Sequence, residues 1–239
     1  MKGAVLTCLM AGLMGASVSP VLAQAPSSGF TGSNFGIQVD LNHLMGTSNV
    51  AVFGPAPDFT PQSSQDGNLP GIGFSYGFQF GSDANKYQHW ALVPVLGIRS
   101  GTQKDSQQFG TLETLSGSFT NAMVTRKTKT EEIFLSIPLR WYTQQKGQLG
   151  DGFFLEAGAI LANSKQTVDL EVTGEFAGQT PSYKYQVKYT KNRGGYLVGI
   201  GDSFPIGNHG LDLGVEYLSL PSSEPLPAHS LRVYVQWYF

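Results

Sequence analysis

The chain has 239 residues, with 15 lysines and arginines against 17 aspartates and glutamates, a formal net charge of −2 at pH 7. This balance excludes the strongly basic surface of a nucleic-acid-binding protein. Thirty glycines and 12% aromatic residues beside only 13% charged residues are unusual for a soluble domain, and the length suits one all-β domain.

The first residues read MKGAVLTCLMAGLMGASVSPVLAQA. Lys2, the short apolar stretch after it and a small-residue site predict a signal peptide over residues 1–23, removed after Ala23. A short periplasmic segment over 24–32 would follow. The single cysteine, Cys8, lies inside the predicted signal, so the mature chain is expected to have no disulfides and no thiolate chemistry.

Alternation of apolar and polar residues then recurs along the chain. The first such segment, NFGIQVDLNHL, puts Phe35, Ile37 and Val39 on one face, and the last, LRVYVQWYF, does the same with Leu231 and Val233. Each segment has about the 9–11 residues that a tilted strand needs to cross a bilayer. The eight predicted strands are 34–44, 71–80, 89–100, 132–142, 153–162, 194–204, 211–220 and 231–239.

The connections alternate in length. Short turns are predicted over 81–87, 143–152 and 205–210; longer polar connections are predicted over 45–69, 101–128, 163–193 and 221–228. An even number of strands joined in this way predicts an all-β, eight-stranded antiparallel up-and-down transmembrane β-barrel in the bacterial outer membrane, over residues 33–239. The short turns and both termini would be periplasmic.

Two of the long connections alternate as well. Residues 165–176 and 182–191 predict a hairpin that extends above the membrane, with Asp169 and Glu171 facing Lys184 and Lys188. Residues 109–132 predict a second extracellular hairpin. These arms would either protect the barrel mouth or form a binding surface. The basic run 126–129 is expected to meet anionic lipopolysaccharide.

Aromatic residues mark the predicted periplasmic rim. Trp90 begins the third strand, while Trp141 and Trp237 end the fourth and eighth, as an interfacial belt requires. Tyr142 is expected at the same rim. The terminal Phe239 on an alternating strand resembles the signal that the outer-membrane assembly machinery reads.

The runs IFLSIPLRWY, FFLEAGAIL and GYLVGIGDSFPIG together resemble the PorT-type family of outer-membrane barrels. The resemblance spans roughly residues 30–239 and implies an eight-stranded barrel. It implies no defined activity and no catalytic residue.

Charged residues occupy positions that would face the barrel interior. Their heights predict pairs: Arg99 with Glu132 and Arg140 with Glu156, and Glu216 with Arg232 and Asp40. Because buried charges must be paired, two interpretations stay open: a polar plug that fills the barrel, or a conduit for water or small ions. The eight predicted interior residues are Asp40, Arg99, Glu132, Arg140, Glu156, Asp212, Glu216 and Arg232.

No catalytic, metal or cofactor motif is present in the sequence. His229 adjoins Ser230, but neighbours in a strand point to opposite faces. We therefore expect an outer-membrane barrel with a structural or surface-interaction role, in contact with lipid and lipopolysaccharide, with an unidentified surface ligand or periplasmic partner and no enzymatic activity. A narrow channel is the alternative, and a lipid-modifying enzyme is a weaker one.

Overall fold

The computed structural model describes residues 35–45, 47–49, 62–64, 67–80, 89–114, 117–142, 152–206, 209–221 and 227–239. The predicted signal peptide and the segment 24–32 lie outside the described residues. Within the described ranges, no helix is long and apolar enough to cross a membrane.

Eight strands make up the barrel. They are β1 (Phe35–Met45), β2 (Gly67–Tyr76 and Phe78–Phe80), β3 (His89–Leu92 and Val95–Thr114), β4 (Gly117–Tyr142), β5 (Gly152–Glu175), β6 (Ser182–Ile206), β7 (His209–Ser219) and β8 (His229–Tyr238). A short hairpin between β1 and β2 pairs Thr47–Asn49 with Gln62–Ser64. β3 is interrupted at Pro94, which has no backbone N–H to donate to a ladder; its carbonyl still accepts from the N–H of Tyr76 at 3.2 Å.

The strands close into a ring. Each pairs antiparallel with its sequence neighbours, β8 pairs with β1, and β4 pairs with β5 along 21 matched positions between Thr120 and Tyr142. Closure satisfies the backbone groups that an open sheet would leave at its edges. The prediction of an all-β, eight-stranded antiparallel barrel with extended hairpins is confirmed.

Inward positions hold large rings that fit only because the facing strand has glycine. A Cβ atom on Gly97 would lie 2.5 Å from the Phe134 ring, and one on Gly214 would lie 2.3 Å from the Tyr234 ring. Tyr234 is 1% exposed. The barrel interior is therefore packed with side chains rather than hollow at these levels.

The barrel is taller on one side. β4, β5 and β6 have 24 to 26 residues, whereas β1, β7 and β8 have 10 or 11. We call the extended part the tall wall: residues 101–114, 117–131, 163–175 and 182–195 of β3 to β6. We call β7, β8, β1 and β2 the short wall. Most of the connections predicted over 101–128 and 163–193 are thus strand, and pairing begins directly above the barrel rather than at 109 or 165.

The tall wall has its own apolar core. A β-bulge shifts the β4–β5 register between Thr120 and Met123, where Asn121 has a φ of 50°. Above and below this bulge, inward side chains of three strands pack together, with Val168 and Ala122 fully buried. The members of this core are Leu112, Phe119, Ala122, Val124, Val168, Leu170 and Val172.

Candidate functional site

Arg140 on β4 is the hub of the lower barrel interior. Its guanidinium has five N–H donors, and five hydrogen bonds use them. The acceptors are Glu156 Oε2 at 3.0 Å, Asp212 Oδ2 at 2.5 Å, Tyr238 Oη at 2.9 Å, Tyr234 Oη at 2.9 Å and Gln236 Oε1 at 3.2 Å. The guanidinium also lies 4.4 Å above the centre of the Phe154 ring. A buried cation with two carboxylates and a full set of acceptors is compensated in place.

The side chains that accept hydrogen bonds from Arg140 are themselves fixed by further hydrogen bonds. Tyr234 Oη donates to Glu156 Oε1 at 2.7 Å, and Ser203 Oγ donates to Asp212 Oδ1 at 2.5 Å. Because side chains from β5, β6, β7 and β8 meet around one guanidinium on β4, the network crosses the full width of the barrel.

A second charged layer lies toward the tall wall. Arg99 on β3 donates from Nε to Asp40 Oδ1 at 2.8 Å and from Nη1 to Glu132 Oε1 at 3.2 Å, and it lies 3.8 Å above the centre of the Phe134 ring. Arg193 on β6 donates to the other oxygen of Glu132 at 3.0 Å. Between the two layers, Arg232 pairs with Glu216.

The predicted pairings can now be compared with these contacts. The structure brings together Arg99 and Glu132, Arg140 and Glu156, and Glu216 and Arg232. Asp40, predicted to meet Glu216 and Arg232, interacts with the charge of Arg232 but makes its direct bond to Arg99, because Asp40 lies opposite Gly71, and Gly71 lies opposite Arg99. The stagger of the strands thus moves this carboxylate into the Arg99 layer.

Arg193 is a network residue that sequence reasoning missed, because residues 163–193 read as a connection. It is buried, and besides Glu132 it donates to Ser164 Oγ at 3.0 Å and to the carbonyl of Pro227 at 2.8 Å. Arg193 therefore ties the β7–β8 connection to the upper charged layer. Arg193 lies four residues before Leu197, so in a continuous strand both fall on the inward face of β6. This even spacing is the signal that could have identified Arg193.

Aromatic residues lie around the lower rim. Trp90 and Trp141 are directly opposite each other on β3 and β4, and the ring of Trp237 on β8 lies 5.4 Å from the ring of His209, tilted against it by 36°. Phe35 lies 6.0 Å from Phe74 and 6.2 Å from Phe239, ring centre to ring centre. Phe239 is thus part of an outward aromatic row, while its role in assembly stays a prediction. Tyr142 was predicted at this rim, but it is fully buried inside the barrel 5.5 Å from Phe154, because it follows the outward-facing Trp141.

The outward surface of the tall wall is rich in lysine. We call it the lysine face, after its six exposed members: Lys104, Lys127, Lys129, Lys165, Lys184 and Lys188. Three acidic residues lie between these lysines on the outward side of β4 and β5: Glu131, Asp169 and Glu171. Lys104 and Lys127 are directly opposite each other, an unfavourable pairing of like charges. An open groove runs over this surface between Lys104 and Lys184.

Local contacts on the lysine face lower two carboxyl pKa values. Lys129 bonds to Glu131 at 2.5 Å, and this bond with its charge lowers the pKa of Glu131. The hydroxyl of Ser182 donates to Glu171 at 2.7 Å and lowers the pKa of Glu171, with help from Lys184 at 3.5 Å. On β6 Asp169 lies opposite Gln186, from which it accepts at 2.7 Å, rather than opposite Lys184 or Lys188, and on β4 it lies opposite Lys127.

The structure offers no catalytic arrangement at the residues that the sequence suggested. His229 stacks on Tyr217, with its Nδ1 2.7 Å from the tyrosine hydroxyl, while Ser230 is buried on the inward face. Among the described residues, no three histidine, cysteine, aspartate or glutamate side chains are grouped closely enough to hold a metal ion.

Comparison with known proteins gives matches among solved structures only. No family model matches the chain, and no curated protein matches it. The chain is similar to neisserial surface protein A, with 14% identity, a TM-score of 0.33 and coverage of 86% of this chain and 96% of that one. It is also similar to Ail, the attachment invasion locus protein of Yersinia pestis, with 10% identity, a TM-score of 0.37 and coverage of 87% and 98%. A structure of Ail with the heparin analogue sucrose octasulfate gives 11% identity, a TM-score of 0.35 and coverage of 85% and 96%.

Proposed function

We propose that this chain is a bacterial outer-membrane barrel, closed to solutes, that displays the tall wall at the cell surface as an interaction surface. The observation that carries the proposal is a change of polarity along the outward side of β4. From Ile133 toward Trp141 the outward side chains are apolar, whereas from Glu131 to Lys127 they are charged. The solvent around the barrel therefore changes from hydrocarbon to water at this row. The inward side is mixed in the barrel, where Arg140 lies among buried rings, and it becomes apolar only in the upper part of the tall wall.

The apolar band has the height of a membrane. On β4, the outward residues from Ile133 to Trp141 are apolar, and Ile133 is 48% exposed. Nine residues at about 3.3 Å each, tilted by roughly 35–45°, give about 20–25 Å, close to the ~25 Å band of outer-membrane barrels. The next outward residue, Glu131, begins the lysine face.

The filled interior supports a closed barrel. Arg140 and Arg99 each connect strands across the interior, and both are almost completely buried. A polar plug of this kind stiffens the barrel, and a solute would have to displace compensated charges to pass. The structural and surface-interaction role therefore fits the geometry better than the narrow channel.

The same proposal includes lipopolysaccharide as a lipid partner of the lysine face. Rows of outward residues rise by about 5 Å each, so the lysines lie about 5 to 20 Å above Ile133. Phospholipid phosphates occupy one level, whereas lipopolysaccharide carries anionic groups on its lipid and on the sugars above it. A series of cations at increasing height matches the second arrangement.

The export signal over 1–23, the periplasmic segment 24–32, recognition of Phe239 by the assembly machinery and membership of the PorT-type family belong to this proposal. So does the absence of enzymatic activity. With β1 entering from the periplasm, the short turns are periplasmic and the tall wall is outside.

Two measurements, one on the purified chain and one in whole cells, test the proposal. In planar bilayers we expect no steady conductance; a steady conductance abolished by Arg140→Ala would support the channel instead. In whole cells, a cysteine introduced at Lys184 should react with a membrane-impermeant maleimide, while one introduced at Ile137 should not. Equal labelling at both positions would contradict the proposed placement.

Lipopolysaccharide contact is tested in nanodiscs that contain lipid A or dephosphorylated lipid A. We expect the chain to associate preferentially with the phosphorylated form and to lose that preference in Lys104→Gln/Lys127→Gln. The control is Lys191→Gln, which lies on the inward row of β6. An unchanged preference in the double variant would refute this part of the proposal.

A further inference from the structure

One edge of the tall wall is an unpaired strand. β6 pairs with β7 only from Tyr196 to Ile206, whereas it pairs with β5 from Ser182. Residues 193–195 lie against the β7–β8 connection, where Arg193 bonds to Pro227. Among the described residues, the backbone of 182–192 therefore has a ladder on one side only, and its other side offers N–H and C=O groups over eleven residues.

The two faces of this edge strand differ chemically. On the outward row it has Lys184, Gln186, Lys188 and Thr190, with no acid in the strand from 182 to 192. On the inward row it has Tyr183, Tyr185, Val187 and Tyr189. Tyr185 is 44% exposed, although the inward residues of the adjoining strand, such as Val168 and Leu170, are buried. The apolar row of β6 is thus incompletely covered at the edge.

The other edge of the tall wall lacks this combination. The inward row of β3 is polar over Gln103, Asp105 and Gln107, and Asp105 is already bound to Arg126 through two bonds of 2.9 and 3.2 Å. An added strand would find no apolar row to cover there. The β6 edge is the better template for a partner strand.

We infer that residues 182–192 of β6 bind an extended peptide segment of a partner by strand addition, and that this segment alternates acidic and apolar residues. The inference rests on the proposed display of the tall wall at the cell surface. Backbone hydrogen bonds would supply the pairing, acids of the peptide would face Lys184 and Lys188, and its apolar side chains would cover Tyr185 and Val187. The positive charge of Lys184 and Lys188, with no acid in the same strand segment, favours an acidic peptide as the partner.

Pairing with a second copy of the chain is disfavoured by the same charges. A symmetric β6–β6 pair would bring lysines of both copies together, and like charges across a strand pair are destabilising. The lysines thus protect the edge against self-association while admitting an acidic strand. The lysines therefore set the specificity of the edge: they repel a second copy of β6 and attract an acidic peptide strand.

The test uses the full chain in phosphatidylcholine nanodiscs and two labelled peptides, alternating Glu-Val and alternating Lys-Val octamers, followed by fluorescence anisotropy. We expect the Glu-Val peptide to bind about tenfold more tightly than the Lys-Val peptide, and Lys184→Glu/Lys188→Glu to reverse the order. The matched control, Lys104→Glu/Lys127→Glu, carries the same charge change three and two strands away from the edge and should leave the order unchanged.

Amide hydrogen exchange separates strand addition from simple charge attraction. In a strand, every second N–H points to the same side, so the bound Glu-Val peptide should protect alternate amides between 183 and 190. Protection without this period, equal binding of both peptides, or a dimer formed through β6 would each overturn the inference. Nanodiscs with lipid A report the lysine face separately, so a chain that prefers phosphorylated lipid A but fails to bind the peptide refutes the edge site alone.

Discussion

The tall wall and the short wall belong to one continuous sheet with one alternating pattern, yet their outward side chains are of opposite kinds. In the lower barrel, which the short wall forms together with the lower parts of β3 to β6, inward positions combine ions such as Arg140 and Glu216 with buried rings, and outward positions such as Val235 are apolar. In the upper part of the tall wall, inward positions hold an apolar core that includes Val168 and Leu170, and outward positions hold lysines. The short wall ends close to the row where the reversal occurs.

The difference teaches that strand alternation alone does not say which face is the core. Hydrocarbon solvates apolar side chains, so a barrel in lipid can place its polar residues inside only if they are compensated. Water solvates charges, so a sheet that stands in water places its apolar residues inside, as the upper part of the tall wall does. On β4 the outward side changes at Ile133, whereas the inward side stays polar from Glu132 to Arg126 and becomes apolar at Val124.

Replacement of Arg140 should destabilise the lower barrel, and this is the largest loss of stability that we expect. Arg140→Ala leaves the carboxylates of Glu156 and Asp212 without their cation in a buried place, and we expect the free energy of unfolding to fall by about 3–5 kcal/mol. Urea unfolding in lipid vesicles, followed by tryptophan fluorescence, measures the change.

The matched control for this change lies in the tall wall. Arg126 bonds to Asp105 with similar geometry, but the Asp105 side chain is 42% exposed, so water can replace the lost partner. Arg126→Ala should therefore cost much less than Arg140→Ala. Equal costs would contradict the difference between the two regions.

Truncating a buried leucine to alanine should destabilise a different part of the molecule in each of the two regions. Leu170 is in the tall-wall core and Leu197 is in the barrel interior, and both are almost fully buried. Each truncation to alanine should cost about 2–5 kcal/mol in the unit that contains it. Hydrogen exchange should accelerate only in the tall wall for Leu170→Ala and throughout the barrel for Leu197→Ala.

A uniform response to both leucine changes would mean that the tall wall and the barrel unfold as one unit. In that case the apolar core of the tall wall would not stabilise it independently of the barrel. The expected result is selective exchange at 163–175 for the first variant, with unchanged exchange across β8.

An outward arginine should distinguish lipid from water. Val235 on β8 and Met123 on β4 face outward with similar exposure, 44% and 47%. Val235→Arg lies near mid-height of the apolar band and should cost about 2–4 kcal/mol, whereas Met123→Arg should change the free energy of unfolding little. A similar small cost at both positions would indicate that water surrounds the whole barrel.

The smallest expected effect concerns pH and the lysine face. The pKa of Glu131 is lowered by Lys129, and a lowered carboxyl pKa contributes stability above the unfolded pKa that is lost as the pH falls through the folded pKa. Carbon NMR titration should place the Glu131 midpoint below the ordinary value of 4.5, and Lys129→Gln should raise it.

Glu171 supplies the control for this titration. Its pKa is lowered mainly by the hydroxyl of Ser182, so Ser182→Ala should raise the Glu171 midpoint and leave Glu131 unchanged. If Lys129→Gln moved both midpoints equally, a general surface charge rather than the local bond would be responsible.

Much of the fold follows from the sequence because alternation reports the faces of a strand directly. The eight strands and the inward positions of Arg99, Arg140 and Arg232 come from this period alone. Heights are harder to predict, since they depend on the stagger between strands; Asp40, which bonds directly to Arg99 rather than to Arg232, shows this. Arg193 was missed for another reason: the outward residues of the tall wall are polar and break the pattern of apolar outward faces, so a continuing strand looked like a connection.

The most direct test of the reversal uses spin labels at single cysteines along the outward side of β4, positions 123 to 141 in steps of two, in lipid bilayers. The sequence contains a single cysteine, at position 8, so Cys8→Ser with one introduced cysteine gives an unambiguous label. The account predicts high oxygen accessibility at positions 133 to 139 and high accessibility to a polar nickel chelate at 125 to 129, with the crossover between 131 and 133. A uniform accessibility along β4, or a crossover displaced into the band at 137, would contradict it.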